Sequence, residues 1–172
     1  LIKPEDGGET YDRFRDRLMF PIMDRQGRVV AFGGRALGEA KAKYLNSPET
    51  ILFQKGKLLF NLHNGRLASR DADRVVVVEG YMDVIALSQA GIAESVAPLG
   101  TALTEDQLRA LWRLTPEPIL CFDGDSAGQR AAARAADRAL PLLQPGYSLR
   151  FAALPAGQDP DDLIRADGPD AM

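Results

Sequence analysis

The sequence predicts an α/β fold, a parallel four-stranded sheet with flanking helices, preceded by a small basic β-rich piece. Three observations predict it. Apolar runs recur in the second half, Val75-Val76-Val77-Val78 and Ile119-Leu120-Cys121-Phe122 being the clearest. Each closes on acid and glycine, as a buried parallel strand does where it leaves its sheet. Helix-length segments alternate with these strands over short links, the pattern of a parallel sheet covered by helices. Finally, residues 1–70 carry 13 Lys/Arg against 8 Asp/Glu, whereas residues 71–172 carry 8 against 16, although the net charge is only −3. Such asymmetry is what a basic nucleic-acid face beside an acidic metal site produces.

In chain order, residues 1–10 are polar and Gly-rich and read as an exposed lead-in. Leu18 to Ile22 and Val29 to Phe32 form a β-hairpin about Asp24-Arg25-Gln26-Gly27, with Gly27 supplying positive φ. Phe14, Phe20 and Phe32 are expected in its core. Residues 38–57 read as irregular and basic, and Lys57 to Leu67 as a short helix. A boundary near 70–73 divides the chain into 1–71 and 72–172. Strand 75–79 then leads to a helix over 81–90, stopped by Gly91. Strand 94–98 leads to a helix that Thr104 and Gln107 start as a capping box and that runs to about Leu114. Strand 118–123 leads to an Ala-rich helix over 127–140, and strand 148–154 to a short helix with Pro160 in its first turn.

A chain of 172 residues can bury a real core as one domain, or as one domain with an appendage. No apolar stretch approaches the roughly 18 residues of a membrane span and no signal peptide opens the chain, so a soluble cytoplasmic protein is expected. A single cysteine and a single histidine exclude a protein-made zinc site and a disulfide framework. Cys121 lies within an apolar strand and reads as a buried structural thiol; His63, in a polar stretch, reads as exposed or capping. Neither a dinucleotide fingerprint nor a P-loop is present.

The chemistry sits where the apolar runs end, the edge at which parallel sheets bind ligands. There stand Glu79-Gly80-Tyr81-Met82-Asp83 and Asp123-Gly124-Asp125. Asp123 and Asp125 are two apart and point the same way if the segment is extended. Glu79 and Asp83 converge on them if the two strands are neighbours. Carboxylates crowded together repel unless cations lie between them, and oxygen donors suit Mg²⁺ or Mn²⁺. A calcium loop is excluded at 123–134, because Ala127 takes a ligand position and Arg134 stands where a bidentate Glu is needed. A phosphatase-like nucleophile at Asp123 leaves Glu79, Asp159 and Asp161 without a role.

The segments 75–83, 119–128 (Asp-Gly-Asp-Ser-Ala-Gly after the strand) and Gln158-Asp159-Pro160-Asp161-Asp162 resemble, in order and spacing, a toprim domain. Tyr11-Asp12-Arg13-Phe14-Arg15, Phe32-Gly33-Gly34-Arg35 and Lys43-Tyr44-Leu45-Asn46-Ser47-Pro48-Glu49-Thr50 extend the resemblance to the RNA polymerase core of bacterial DnaG-type DNA primases, over nearly the whole chain. The resemblance implies a toprim fold at 72–172, preceded at 1–71 by the C-terminal part of the core's basic N-terminal subdomain. It implies Glu79, Asp123 and Asp125 as catalytic acids, Glu79 handling a proton. Asp83, Asp159 and Asp161 would complete the Mg²⁺ or Mn²⁺ site, while Asp162 and Asp167 would be surface acids. Arg35, Lys43 and Lys55 match a basic ridge leading to the metals, and Tyr44, Asn46 and Ser47 are candidates for contact with sugar or base.

The implied activity is nucleotidyl transfer: synthesis of RNA primers on a single-stranded DNA template from ribonucleoside triphosphates. The implied partners are template, triphosphates, nascent primer and, through a region absent here, the replicative helicase. The missing initial Met is read as the sign of an excised piece. Rival readings are a topoisomerase or nuclease of the toprim class, and a non-catalytic toprim DNA-binding module. The first needs a nucleophilic Tyr in a separate domain, and the second typically carries a four-cysteine zinc site.

Overall fold

The computed structural model describes Ile2, residues 8–100 and residues 102–171. Most of the expected lead-in lies outside them. Three antiparallel strands form the first layer in the order β1 (Arg17–Met23), β2 (Val29–Ala36), β3 (Tyr44–Asn46). The hairpin turn is fixed by Asp24, whose carboxylate accepts the N–H groups of Gln26 (2.9 Å) and Arg28 (3.0 Å) and pairs with the Arg28 guanidinium at 2.7 Å. Alternation turns Phe20, Ile22 and Ala31 inward. Phe32 is expected in the core but lies on the outer face opposite Pro21, 43% exposed. The stretch expected to be irregular contains β3, whose three residues are too few to show an alternation.

The short helix starts later than the sequence predicts. Phe60 bridges Ala97 through backbone hydrogen bonds of 2.7 and 3.3 Å, which keeps Phe60 in strand-like pairing, and Asn61 then turns the chain through a left-handed conformation at φ 62°. Helix α1 therefore spans Leu62–Ala72. It rests on the second sheet, with Asn61 Nδ2 donating to the Ser95 carbonyl at 3.0 Å.

That sheet is parallel, ordered β5 (Ser95–Val96), β4 (Val76–Val77), β6 (Ile119–Cys121), β7 (Arg150–Ala152). Helices α2 (Tyr81–Gln89), α3 (Glu105–Trp112), α4 (Ser126–Ala139) and α5 (Pro160–Asp167) follow its strands in turn. Regular pairing is briefer than the apolar runs, yet hydrogen bonds continue past it, for instance Val78 N–H to the Val96 carbonyl at 2.9 Å. Val75 and Val77 enter one cluster with Leu108, Leu111 and Leu120, and Val76 and Val78 enter another with Val84, Leu87 and Cys121. A continuous apolar run is thus a strand covered on both faces, and the Cys121 thiol is structural, its pKa pushed to about 11 chiefly by burial. A third cluster (Phe20, Ile22, Ala31, Phe53, Tyr81 and Leu99) joins the two sheets. No helix among the described residues is long and apolar enough to cross a membrane.

The Thr104 cap forms as the sequence predicts: Thr104 Oγ1 accepts the Gln107 N–H at 3.2 Å, and Gln107 Oε1 accepts the Thr104 N–H at 3.0 Å. Gln107 also does something the sequence does not announce. Fully buried, its amide donates to the carbonyls of Lys55 (2.9 Å) and Leu58 (2.7 Å), tying the 3₁₀ turn Lys55–Lys57 to α3. Gln107→Met keeps the shape but strands these groups, so it should lower unfolding free energy by about 2 kcal/mol or more in urea titrations. A loss within about 0.5 kcal/mol, the range of ordinary surface changes, would show that water replaces the amide.

Candidate active site: an acidic sheet edge facing a basic strand

The carboxyl ends of β4 and β6 are adjacent, and the tight turns leaving them bring their acids together. Glu79 Oε1 accepts the backbone N–H of Asp123 at 3.2 Å, linking the two strand ends directly. Gly124 is required by close approach: a Cβ there would lie 2.0 Å from the Pro155 carbonyl oxygen. Its N–H donates to the Gln158 carbonyl at 2.8 Å and its carbonyl accepts the Gly157 N–H at 3.1 Å, which pins the loop carrying Asp159 beside Asp123.

Each acid then takes a distinct local role. Asp83 is buried at 9% exposure and accepts the Gly80 N–H at 3.0 Å, closing the start of α2. Asp159 caps α5 by accepting the Asp162 N–H at 2.7 Å, and Asp162, read as a surface acid, completes that capping box. Asp161 pairs with Arg165 at 2.8 Å. Asp125 is the N-cap of α4, its Oδ1 accepting the N–H groups of Ala127 (2.7 Å) and Gly128 (2.8 Å). Asp125 itself keeps an extended backbone, but its carboxylate is turned onto the first turn of α4, and it is not among the residues that line the cleft with Asp123.

Burial, then the neighbouring Asp123 charge, raises Asp83 to about pKa 7, with Asp159 and Glu79 adding to the rise against the Gly80 hydrogen bond. Asp123 rises to about 6, first from burial and next from Glu79, with Asp159, Asp125 and Asp162 contributing. Asp123 Oδ1 is buried and accepts no hydrogen bond. A crowded all-oxygen set containing an orphaned carboxylate oxygen fits a hard divalent cation. As the side chains stand, no three carboxylates among the described residues are close enough to ligate one ion together.

The opposite wall comes from the antiparallel sheet. Arg35, Lys43, Tyr44 and Asn46 line the same cleft of about 400 Å³ as Glu79, Asp83, Asp123, Asp159 and Asp161. Lys55 is not among its lining residues; it lies in the 3₁₀ turn, its N–H donating to Glu49 Oε1 at 3.2 Å. Ser47 extends the pairing of β3 with β2 instead of lining the cleft, its N–H donating to the Phe32 carbonyl at 2.8 Å and its hydroxyl accepting the Phe32 N–H at 3.0 Å.

The structure adds a residue that sequence reasoning passed over. Tyr81 at the start of α2 donates its hydroxyl to Asn46 Oδ1, while Asn46 Nδ2 donates to the Leu99 carbonyl at 3.2 Å. Arg13 donates to the Asn46 carbonyl through Nε (2.9 Å) and Nη2 (2.7 Å). The Tyr81 ring packs on Phe60 and Phe20 at centroid distances of 4.6 and 5.4 Å, and Gly33 gives it room, since a Cβ there would meet the ring at 2.8 Å. Burial, outweighing the Asn46 bond, pushes the phenol to about pKa 12. The only available signal was the Tyr within Glu-Gly-Tyr-Met-Asp, which nothing local distinguishes from an ordinary core aromatic.

A carboxyl raised on folding binds protons more tightly in the folded chain, so it stabilises at low pH and that contribution is lost as pH rises through its folded pKa. In EDTA, stability should therefore fall between about pH 4 and pH 7. Asp83→Asn should flatten the fall and exceed the parent's unfolding free energy at pH 8 by about 1 kcal/mol or more, seen as a higher melting temperature, without advantage at pH 4. Parallel melting curves for the two proteins at all pH values would contradict the electrostatic reading of this edge.

Comparison with known proteins agrees with this geometry. Residues 1–66 match the DNA primase catalytic core, N-terminal domain, and residues 73–153 match the toprim domain. DNA primase of Pseudomonas aeruginosa is 57% identical over 172 residues, all of this chain and 26% of that protein. DNA primase of Escherichia coli K12 is 51% identical over the same length, 30% of that protein. The chain thus spans roughly a quarter to a third of these relatives. Among solved structures, a DNA primase domain from Pseudomonas aeruginosa superposes with a TM-score of 0.94 at 56% identity, over 99% of this chain and 53% of the other. A DnaG primase catalytic domain bound to single-stranded DNA gives 0.89 at 50% identity, over 99% and 55%. With strand order, acidic edge and basic wall all in place, the chain belongs to the bacterial DnaG-type DNA primases, as a stretch of their catalytic core.

Proposed function

We propose that this chain forms the reaction centre of a primase, in which a ribonucleotide 3′-hydroxyl attacks the α-phosphate of a ribonucleoside triphosphate on a single-stranded DNA template. The observation that carries this reading is the single cleft with carboxylates on one wall and Arg35 and Lys43 on the other. Glu79, Asp83, Asp123 and Asp159 would hold Mg²⁺ or Mn²⁺, and Asp161 would join once Arg165 moves aside. When bound, the ions supply charge stabilisation at the attacking and leaving oxygens. Asp125 serves the site by holding the first turn of α4. Arg35 and Lys43 take backbone or triphosphate oxygens, the first as a fork and the second as a point charge. Tyr44 carries Arg35 over its ring at 5.9 Å from the centroid and offers its face to a base. Asn46 is held by Tyr81 as the polar contact beside it. The work belongs in the cytoplasm at the replication fork, with the helicase engaged by a region beyond these residues.

Two measurements test the reading. Asp123→Asn should weaken Mn²⁺ binding by calorimetry at least about tenfold, equivalent to about 1.4 kcal/mol, with unchanged circular dichroism. Equal affinity would remove the acidic edge from the reaction. Arg35→Ala with Lys43→Ala should lower affinity for a single-stranded oligonucleotide and flatten its salt dependence, since each phosphate contact contributes a slope of about −0.7. Lys55→Ala should change both less, and an unaltered slope in the double variant would make these ordinary surface charges.

Residues 1–172 alone should bind metal and triphosphates yet make primers poorly, because template and two nucleotides must be held in line and misplacement by about 1 Å costs on the order of a hundredfold. Vigorous template-dependent synthesis by this chain would overturn that expectation.

A further inference from the structure

A second charged cleft lies at the opposite end of the parallel sheet. Arg25 from the β1–β2 turn, Arg66 and Arg70 from α1 and Arg113 after α3 line a cavity of about 280 Å³ whose floor is Leu62, Ala110 and Leu114. Helices α1 and α3 both finish there, α1 just before β4 begins and α3 before β6, whereas the acidic cleft sits where those strands end. The two clefts have no lining residue in common.

Four guanidinium groups around one small cavity repel, and none is paired with a carboxylate among the described residues. Arg70 and Arg113 stand at helix ends, where a cation is favourable. That accounts for two of them. It does not account for Arg25, which comes from a hairpin turn, nor for Arg66, whose Nε is buried with no acceptor. An unpartnered, buried guanidinium N–H is costly unless an anion accepts it, and Arg forks match phosphate oxygens.

We propose that this cleft is a second phosphate site, taking a small phosphate ester whose phosphate meets the arginines and whose apolar part lies on Leu62, Ala110 and Leu114. A confined cleft of about 280 Å³, open on one side and floored by apolar side chains, favours a small free ligand over a nucleic-acid strand, which would need a basic track continuing along the surface. The inference does not rest on the primase reading and is tested where the acidic cleft repels anions, in EDTA.

The experiment is a calorimetric and ¹⁵N-shift titration of the full chain in EDTA with adenosine 5′-monophosphate, pyrophosphate and an unphosphorylated single-stranded oligonucleotide. We expect saturable binding of adenosine 5′-monophosphate with shifts at Arg66, Arg70 and Arg113. Binding should be weakened at least about tenfold by Arg66→Gln, as loss of a charge-assisted contact implies. Arg113→Gln, at an exposed position that does not endanger folding, should weaken it in the same direction, and Arg35→Gln should leave it unchanged. Pyrophosphate competing for the same shifts supports recognition through phosphate alone. Absence of binding, affinity unchanged from the parent in both Arg66→Gln and Arg113→Gln, or tighter binding of the oligonucleotide at these residues would each overturn the assignment.

Discussion

Mutual repulsion among carboxylates at one sheet edge is the constraint around which this chain is arranged. Glu79, Asp83, Asp123 and Asp159 arrive there from three different connections, and burial with like charges nearby displaces Asp83 and Asp123 into the neutral range. The fold tolerates this because the acids are also structural. Each of Asp83, Asp125 and Asp159 closes the N-terminus of a helix, where the dipole and unpaired N–H groups favour negative charge. Glycine at 124 lets the loops close tightly enough for the acids to meet.

The basic wall needs its own alignment, and the Tyr81–Asn46–Leu99 chain of hydrogen bonds provides it. Tyr81 stands two residues from Glu79 on one side and Asp83 on the other, so the link that fixes the antiparallel sheet begins inside the acidic motif itself. Arg13, gripping the Asn46 carbonyl, braces β3 from the far side. A change at Asn46 or Gly33 would consequently move Arg35 and Lys43 relative to the carboxylates while touching none of them.

The parallel sheet and its helices were legible because buried strands show as unbroken apolar runs and because caps such as Thr104 with Gln107 are local chemistry. What depended on partners far along the chain was not. Strand β3 exists because β2 offers it an edge, α1 starts late because Phe60 pairs with Ala97, and Phe32 faces outward because the hairpin register puts it opposite Pro21. Within the site, spacing identified the acids but not their division of labour. Asp125 reads as a twin of Asp123 until the start of α4 claims it, and Lys55 reads as part of the ridge until the 3₁₀ turn places it outside the cleft. Residue type and order thus indicate which groups can meet, and the turn geometry that no short pattern encodes selects among them.

The central claim is that the acidic edge is a divalent-cation site facing the basic strand. Anomalous diffraction from crystals of this chain soaked in Mn²⁺ tests it most directly. The account predicts a peak within about 2.0–2.6 Å of carboxylate oxygens, shared between Glu79 and Asp123, with Asp83 or Asp159 contributing and Arg35 across the cleft. A peak confined to exposed acids such as Asp167 or Asp170, with density absent between Glu79 and Asp123, would contradict it.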